Sequence, residues 1–236
     1  MQQVHAGDAV AFHSEIASDF HDSYRDDPNR LERLEVWRGM LGRYAKPARL
    51  AYDLGCGSGM LTCEIAPRAG NVVAIDGSDA MIAIARKNTA QRGFHNVSFR
   101  QSRLPITDTT GLDPAELVIS SSVIEYLDTV EGALEFARKL MMPEGMLFFS
   151  MSNKDSISRK AVRLVYSLTG RPRYFGFVRH FLDEGDVRRL LAAARLEYVD
   201  HVYFGGKDRL NRIIGSVLPK KYATNMILIV ARRPAG

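Results

Sequence analysis

The stretch Leu50-Ala51-Tyr52-Asp53-Leu54-Gly55-Cys56-Gly57-Ser58-Gly59 decides the fold. Its first five residues form a short apolar run of the kind that makes a strand buried on both faces, and it ends in a turn with a glycine at every second position. A helix is expected next, over about residues 60–66, with Pro67 and Gly70 ending it. Further out, Val72-Val73-Ala74-Ile75 reads as a second buried strand closed by Asp76. Ser78 reads as the N-cap of a helix with Met81, Ile84 and Ala85 on its apolar face, stopped by Gly93. Residues 97–99 and 117–120 are further short strands. Asp128-Thr129-Val130-Glu131 has the form of a capping box, Pro143-Glu144-Gly145 is a turn, and residues 146–150 are a fifth strand. Asp183 and Asp186 open another capped helix, and residues 199–204 and 225–231 read as two late, paired strands. Strands alternating with helices predict an α/β chain with a doubly wound sheet, mostly parallel, with an antiparallel C-terminal strand. Upstream, Val36, Met40 and Leu41, with Leu34 and Trp37 nearby, give a helical stripe that ends before Pro47. Residues 1–45 are thus an N-terminal helical cap on a single domain spanning 1–236.

In such a sheet, ligands bind beyond the carboxyl ends of the strands. Gly55, Gly57 and Gly59 let backbone approach a ligand closely, and Asp76 stands about twenty residues on, where a carboxylate meets a ribose hydroxyl pair. A dinucleotide fingerprint needs glycine at its sixth position, which here is Met60; the third glycine comes one residue early. Asp53 adds negative charge where a phosphate is unwelcome and a cationic ligand is not. S-adenosylmethionine (SAM) carries a sulfonium and an ammonium and no phosphate, so the turn with Asp53 and Asp76 favours SAM over a nicotinamide cofactor.

Leu54-Gly55-Cys56-Gly57-Ser58-Gly59, Asp76-Gly77-Ser78 with Met81, Val118-Ile119-Ser120-Ser121-Ser122-Val123-Ile124-Glu125-Tyr126-Leu127, and Met142-Pro143-Glu144-Gly145 resemble the successive motifs of class I SAM-dependent methyltransferases. The likeness is closest to the small-molecule group that includes quinone-biosynthesis and natural-product enzymes, and it covers about residues 45–152. The resemblance implies a Rossmann-like methyltransferase sheet, SAM as cofactor and S-adenosylhomocysteine (SAH) as product. It further implies that Asp53, Gly55, Cys56, Gly57 and Gly59 hold the methionine end and that Asp76 binds the ribose. Gly77 and Met81 would lie against ribose and adenine, and Ser120 or Ser121 would touch the methionine end. Two departures stand out. Where relatives carry an acidic residue after the third strand, this chain has Gln101-Ser102-Arg103-Leu104, so Ser102, Gln101 or backbone would face the adenine, with Arg103 also at the cofactor. Where many relatives carry Glu-His, it has Glu125-Tyr126.

The net charge of +5 is unevenly placed. Lys154, Arg159, Lys160, Arg163, Arg171, Arg173 and Arg179 crowd one segment against Asp155, leaving the remainder close to neutral. That segment, residues 154–182, breaks the strand–helix alternation and reads as a lid insertion over the site. Solvated surface, a cover over an anionic substrate, and an RNA- or membrane-binding patch all fit it, and one cluster is a thin footprint for nucleic acid. Cys56 and Cys63 read as reduced thiols, and with no nearby histidine they make no metal site. No signal peptide or membrane span is readable, which predicts a cytoplasmic protein. The expected reaction is in-line transfer of a methyl group to a small-molecule acceptor, anionic or aromatic, with oxygen as the acceptor atom. RNA or protein methylation through the basic segment, and SAM binding without catalysis, are the alternatives. His180 and Tyr24 are the candidate bases, though an ordinary structural histidine reads equally well at 180, and Tyr24, Tyr126 and Tyr174 could as well be packing residues.

Overall fold

The computed structural model describes residues 6–106 and 109–235; the first five residues of the expected helical cap lie outside them. Three helices lead: α1 (Ala6–Glu15), α2 (Ala17–Asp26) and α3 (Pro28–Tyr44). Asp27 starts α3 by accepting the Asn29 N–H at 2.8 Å, with Pro28 in the first turn, where its missing N–H leaves no gap. Trp37, Met40 and Leu41 turn inward from α3.

The sheet strands are β1 (Ala48–Leu54), β2 (Ala69–Asp76), β3 (Val97–Gln101), β4 (Ala115–Ser121), β5 (Met141–Ser152), β6 (Glu197–Phe204) and β7 (Met226–Arg232). Their order is β3-β2-β1-β4-β5-β7-β6. Every pair is parallel except the two made by β7, which runs antiparallel between β5 and β6. The predicted single antiparallel C-terminal strand is therefore present. Helices α4 (Thr62–Ile65), α5 (Asp79–Gln91), α6 (Val130–Leu140), α7 (Ile157–Thr169), α8 (Glu184–Ala193) and α9 (Arg209–Gly215) complete the chain. The pleat sends alternate side chains into two cores: Tyr52, Val118 and Phe149 pack toward α6 and α8, while Ala51, Leu117 and Phe148 pack toward α3 and α4.

Three local expectations change. The helix after the glycine turn is one short turn extended by a 3-10 turn at Ala66–Arg68, and β2 already begins at Ala69, so Gly70 lies inside a strand. The turn at residues 143–145 is a bulge within β5: the register jumps from Ala115 opposite Met141 to Leu117 opposite Met146, with Glu144 at φ 62°. Thr129, not Asp128, caps α6 through the Gly132 N–H; Asp128 pairs with Arg179 instead. The predicted Asp183/Asp186 capping box is formed in full.

Candidate SAM and acceptor site

The glycine turn sits at the carboxyl end of β1, between β2 and β4, where the strand order reverses. Gly55 has φ 75°, and a Cβ there would stand 2.1 Å from Val123 Cγ2; Gly59 has φ 78°, and a Cβ there would press on Ala85 at 2.8 Å. Both positions require glycine, the first for the turn's approach to the end of β4 and the second for contact with α5. The Gly55 and Cys56 N–H groups donate to Ile75 O, and the Gly57 N–H donates to Asp76 Oδ2 at 2.8 Å. The Ser78 N–H donates to Asp76 Oδ1, also at 2.8 Å. Asp76 is thereby held at the ligand end of β2 with its two oxygens fixed by backbone.

Asp53 is 1% exposed, and its Oδ2 accepts from Thr62 Oγ1 at 2.6 Å. Burial pushes its carboxyl up to about 7, with the Thr62 hydrogen bond opposing and the charge on Asp76 adding to the rise. A desolvated carboxylate of this kind gains most from a cationic partner. Cys56 and Cys63 are both buried free thiols; burial raises the Cys56 thiol well above its ordinary value, which leaves it a packed residue and not a nucleophile.

A cavity of about 480 Å³ joins this turn to a second wall. On the turn side it is lined by Gly55, Gly57, Asp76, Gly77, Met81, Arg103 and Ser121. Asp53 and Cys56 face a smaller adjoining hollow of about 40 Å³ that Gly55, Gly57 and Ser121 share. Ser120, Ser102 and Gly59 line neither: Ser120 Oγ donates to Leu54 O at 3.1 Å, the Ser102 N–H donates to Asp76 O at 2.9 Å, and Gly59 faces α5. Those three support the turn from behind. The donor set fits SAM on two counts. The glycines leave a cradle that side chains would fill, and two carboxylates face the cavities with the buried Ser58 hydroxyl unpartnered beside them.

The second wall is only partly present in the sequence reading. Arg30 and Arg33 come from α3, Glu125 and Tyr126 from the 3-10 turn Ile124–Tyr126 after β4, Arg159 from α7, and Asn225 from the residue before β7. Arg33 donates to Ser122 Oγ at 2.8 Å, and Arg159 Nη1 donates to the Tyr174 hydroxyl at 3.3 Å. Among the described residues, none of these three arginines makes an ion pair. Glu125 is 2% exposed; Oε1 accepts from Ser152 Oγ at 3.3 Å and Oε2 has no partner. Burial pushes this carboxyl up to about 7, although Arg159 and Arg33 pull it down. His13 of α1 also lines the cavity. Its Nδ1 lies 2.7 Å from Ala9 O, and since a carbonyl only accepts, Nδ1 carries the proton and Nε2 is left basic; burial lowers the ring's pKa.

The geometry does not bring His180 or Tyr24 to this cavity. His180 Nε2 donates to Leu127 O at 2.9 Å and Asp128 O at 3.2 Å, while the Arg179 and His180 N–H groups donate to Glu125 O. The histidine latches the chain after residue 177 onto the turn that carries Glu125, so it is committed to backbone and not to an acceptor. Tyr24 is buried edge-on against Phe20 and faces only the small hollow near Asp53. Tyr126 and Tyr174, by contrast, do line the cavity.

Residues 52–147 match the methyltransferase domain family. That segment carries a methyltransferase domain. Curated relatives of this chain include the ubiquinone biosynthesis O-methyltransferases of Acinetobacter baumannii (strain ACICU), 25% identical over 58% of this chain and 56% of the relative, and of Hahella chejuensis, 24% identical over 76% and 74%. The chain thus spans little more than half the length of the Acinetobacter relative. The fold is shared with the N-methyltransferase NodS from Bradyrhizobium japonicum WM9 in complex with SAH: TM-score 0.69, 19% identity, 96% of this chain and 98% of that one. It is shared also with magnesium protoporphyrin IX methyltransferase from Synechocystis PCC 6803 with bound SAH: TM-score 0.66, 16% identity, 94% and 98% coverage. Among the described residues no helix is long and apolar enough to cross a membrane, and no cluster of metal-binding side chains occurs.

Proposed function

We propose that this chain methylates an oxygen of a small acceptor that carries an anionic group beside an aromatic or apolar body. The observation behind this reading is the second wall of the cavity: Arg30, Arg33 and Arg159 without carboxylate partners, set among Tyr126, Tyr174 and Phe12. Cations drawn out of solvent without an ion pair, Arg33 buried and Arg30 and Arg159 half-buried, favour an anionic ligand, and the rings beside them favour a flat one.

When bound, SAM supplies a methyl group already activated by its sulfonium; that S–C bond breaks as the O–C bond forms, and the electron pair stays on sulfur. Asp53 holds the ammonium end and Asp76 the ribose. The arginines orient the acceptor in line with the sulfur, which is where most of the rate gain arises. Glu125 takes the acceptor's proton on its free Oε2, at a pKa matched to neutral pH. The helical cap and the 154–182 insertion act together as the lid. Phe12 of α1 stacks on Phe177 of the insertion at 5.1 Å, and Arg173 pairs with Glu15 at 3.0 Å. Lys154, Arg173 and Arg179 of the basic segment are all committed to ion pairs, which weakens the case for RNA.

The test is SAH formation from SAM across a panel of hydroxybenzoates, catechols and amines of matched size. Turnover with an anionic oxygen acceptor, and a KM for it raised at least about tenfold in Arg159→Ala, is the expected result. Faster turnover of amines that lack an oxygen acceptor would move the acceptor atom to nitrogen, and SAH formation with no acceptor class would leave only SAM binding.

A further inference from the structure

We propose that the outer face formed by α7 and α9 docks onto an anionic lipid surface. The amphipathic stripe of α7 is turned the wrong way round for a soluble helix. Ile157, Ala161, Leu164, Val165 and Leu168, spaced at helical intervals, all point to solvent, while Arg159, Val162 and Tyr166 face the protein. Leu168 is 78% exposed and Leu164 63%. Helix α9, which packs beside α7, repeats the pattern: Leu210, Ile213 and then Val217 point out, while Asn211 and Ile214 point in. Outside Leu31 and Val199, every exposed large apolar side chain among the described residues belongs to α7, to α9 or to Val217 and Leu218 just after α9. A patch of this kind on a soluble surface marks an interaction site.

Charge chooses the occupant. Lys160, Arg163, Arg171, Lys207, Arg209 and Arg212 are interleaved with these apolar residues or flank them, all exposed, and none makes an ion pair among the described residues. Apolar aliphatic side chains ringed by unpaired cations are the composition of a helix face that lies in a lipid headgroup layer. A second copy of the chain would bring like charges together. A nucleic acid would want exposed rings for stacking, and the exposed large apolar residues here are all aliphatic. The face also adjoins the site: Arg159 in the first turn of α7 and Gly205 just before α9 both line the cavity. The docking is independent of the methyl-transfer reading, since it concerns residues outside the cavity.

Flotation of the full chain with vesicles of phosphatidylcholine alone, or with roughly a third phosphatidylglycerol, tests the proposal directly. Binding to the anionic vesicles at least about tenfold tighter than to the neutral ones, and weakened by added salt, is the expected result. The double variant Leu168→Ser/Ile213→Ser should lose about tenfold in partition, and Lys160→Glu/Arg163→Glu should lose the preference for anionic lipid, both with unchanged thermal unfolding and SAH binding. Equal partition to both vesicle types, no binding to either, or an unaltered Leu168→Ser/Ile213→Ser variant would overturn it. A dimer in sedimentation equilibrium that this double variant splits into monomers would reassign the face to contact between copies.

Discussion

Glu125, Asp53 and Gly55 carry the sharpest residue-scale consequences. Glu125 serves as base only when ionised, and burial places its pKa at about 7, so kcat/KM should rise with pH through that value and level off above it. Glu125→Gln should lower turnover by 100-fold or more, by the usual size of general-base effects, and leave SAH affinity within about threefold; steady-state kinetics beside calorimetry separates the two. A variant with near-normal turnover would return the proton to His13 or to solvent. Asp53 is also pushed up to about 7, and a bound ammonium favours its ionised form. SAM should therefore bind more tightly as the pH rises through 7 and release a proton on binding at lower pH, a dependence that Asp53→Asn should flatten. Gly55→Ala combines a left-handed backbone with a Cβ 2.1 Å from Val123 Cγ2, so it should cost at least about 1–2 kcal/mol of stability and abolish SAH binding. Gly55→Ala/Val123→Ala should recover part of the stability in thermal unfolding.

At the scale of elements, the caps and latches hold the segments around the cavity. Asp183 caps α8 and accepts from Lys154, whose strand end leads into α7. Asp183→Ala should destabilise the chain by about 1 kcal/mol, read by denaturant unfolding, because the N-cap bond to Asp186 N–H is lost and the exposed ion pair contributes little. The contact between α1 and the insertion rests on Phe12 and Phe177 more than on Arg173–Glu15, which lies in solvent. Phe177→Ala should raise KM for SAM and acceptor together, whereas Glu15→Ala should change neither by more than about twofold.

At the scale of the molecule, pH reports on the buried acids together. Asp53 and Glu125 hold their protons more tightly in the folded chain than in the unfolded one. The folded state then binds more protons between roughly pH 4 and 7, and stability falls as the pH climbs through that window, by on the order of 3 kcal/mol per group. Asp183 and Asp200, whose pKa values are lowered, act in the opposite sense only below their ordinary values, whereas the buried His13, whose pKa is also lowered, offsets part of the fall within the window, one group against two. Denaturant unfolding without ligand should thus give a lower stability near pH 8 than near pH 5, and saturating SAH should recover part of the difference. A flat profile would mean that Asp53 and Glu125 stay ionised in the folded chain.

The donor side of the site was legible because it is local. β1, the turn at residues 55–59, and Asp76 at the end of the neighbouring strand are set by alternation, glycine spacing and strand order, all of which are written in contiguous residues. The Asp183/Asp186 box followed from the same kind of local pattern. The acceptor wall was legible only in part, at Glu125-Tyr126, at Tyr174 and in the basic segment that carries Arg159. Arg30, Arg33 and Asn225 come from other elements, and each alone reads as an ordinary charged or polar residue. His180, conspicuous among aromatics in the sequence, is spent on backbone carbonyls of a turn some fifty residues earlier. The sequence by itself determined which cofactor the turn can cradle, because backbone conformation depends on nearest neighbours. Only the tertiary structure decided what faces that cofactor, because burial and unpaired charge depend on segments that meet only when the chain folds.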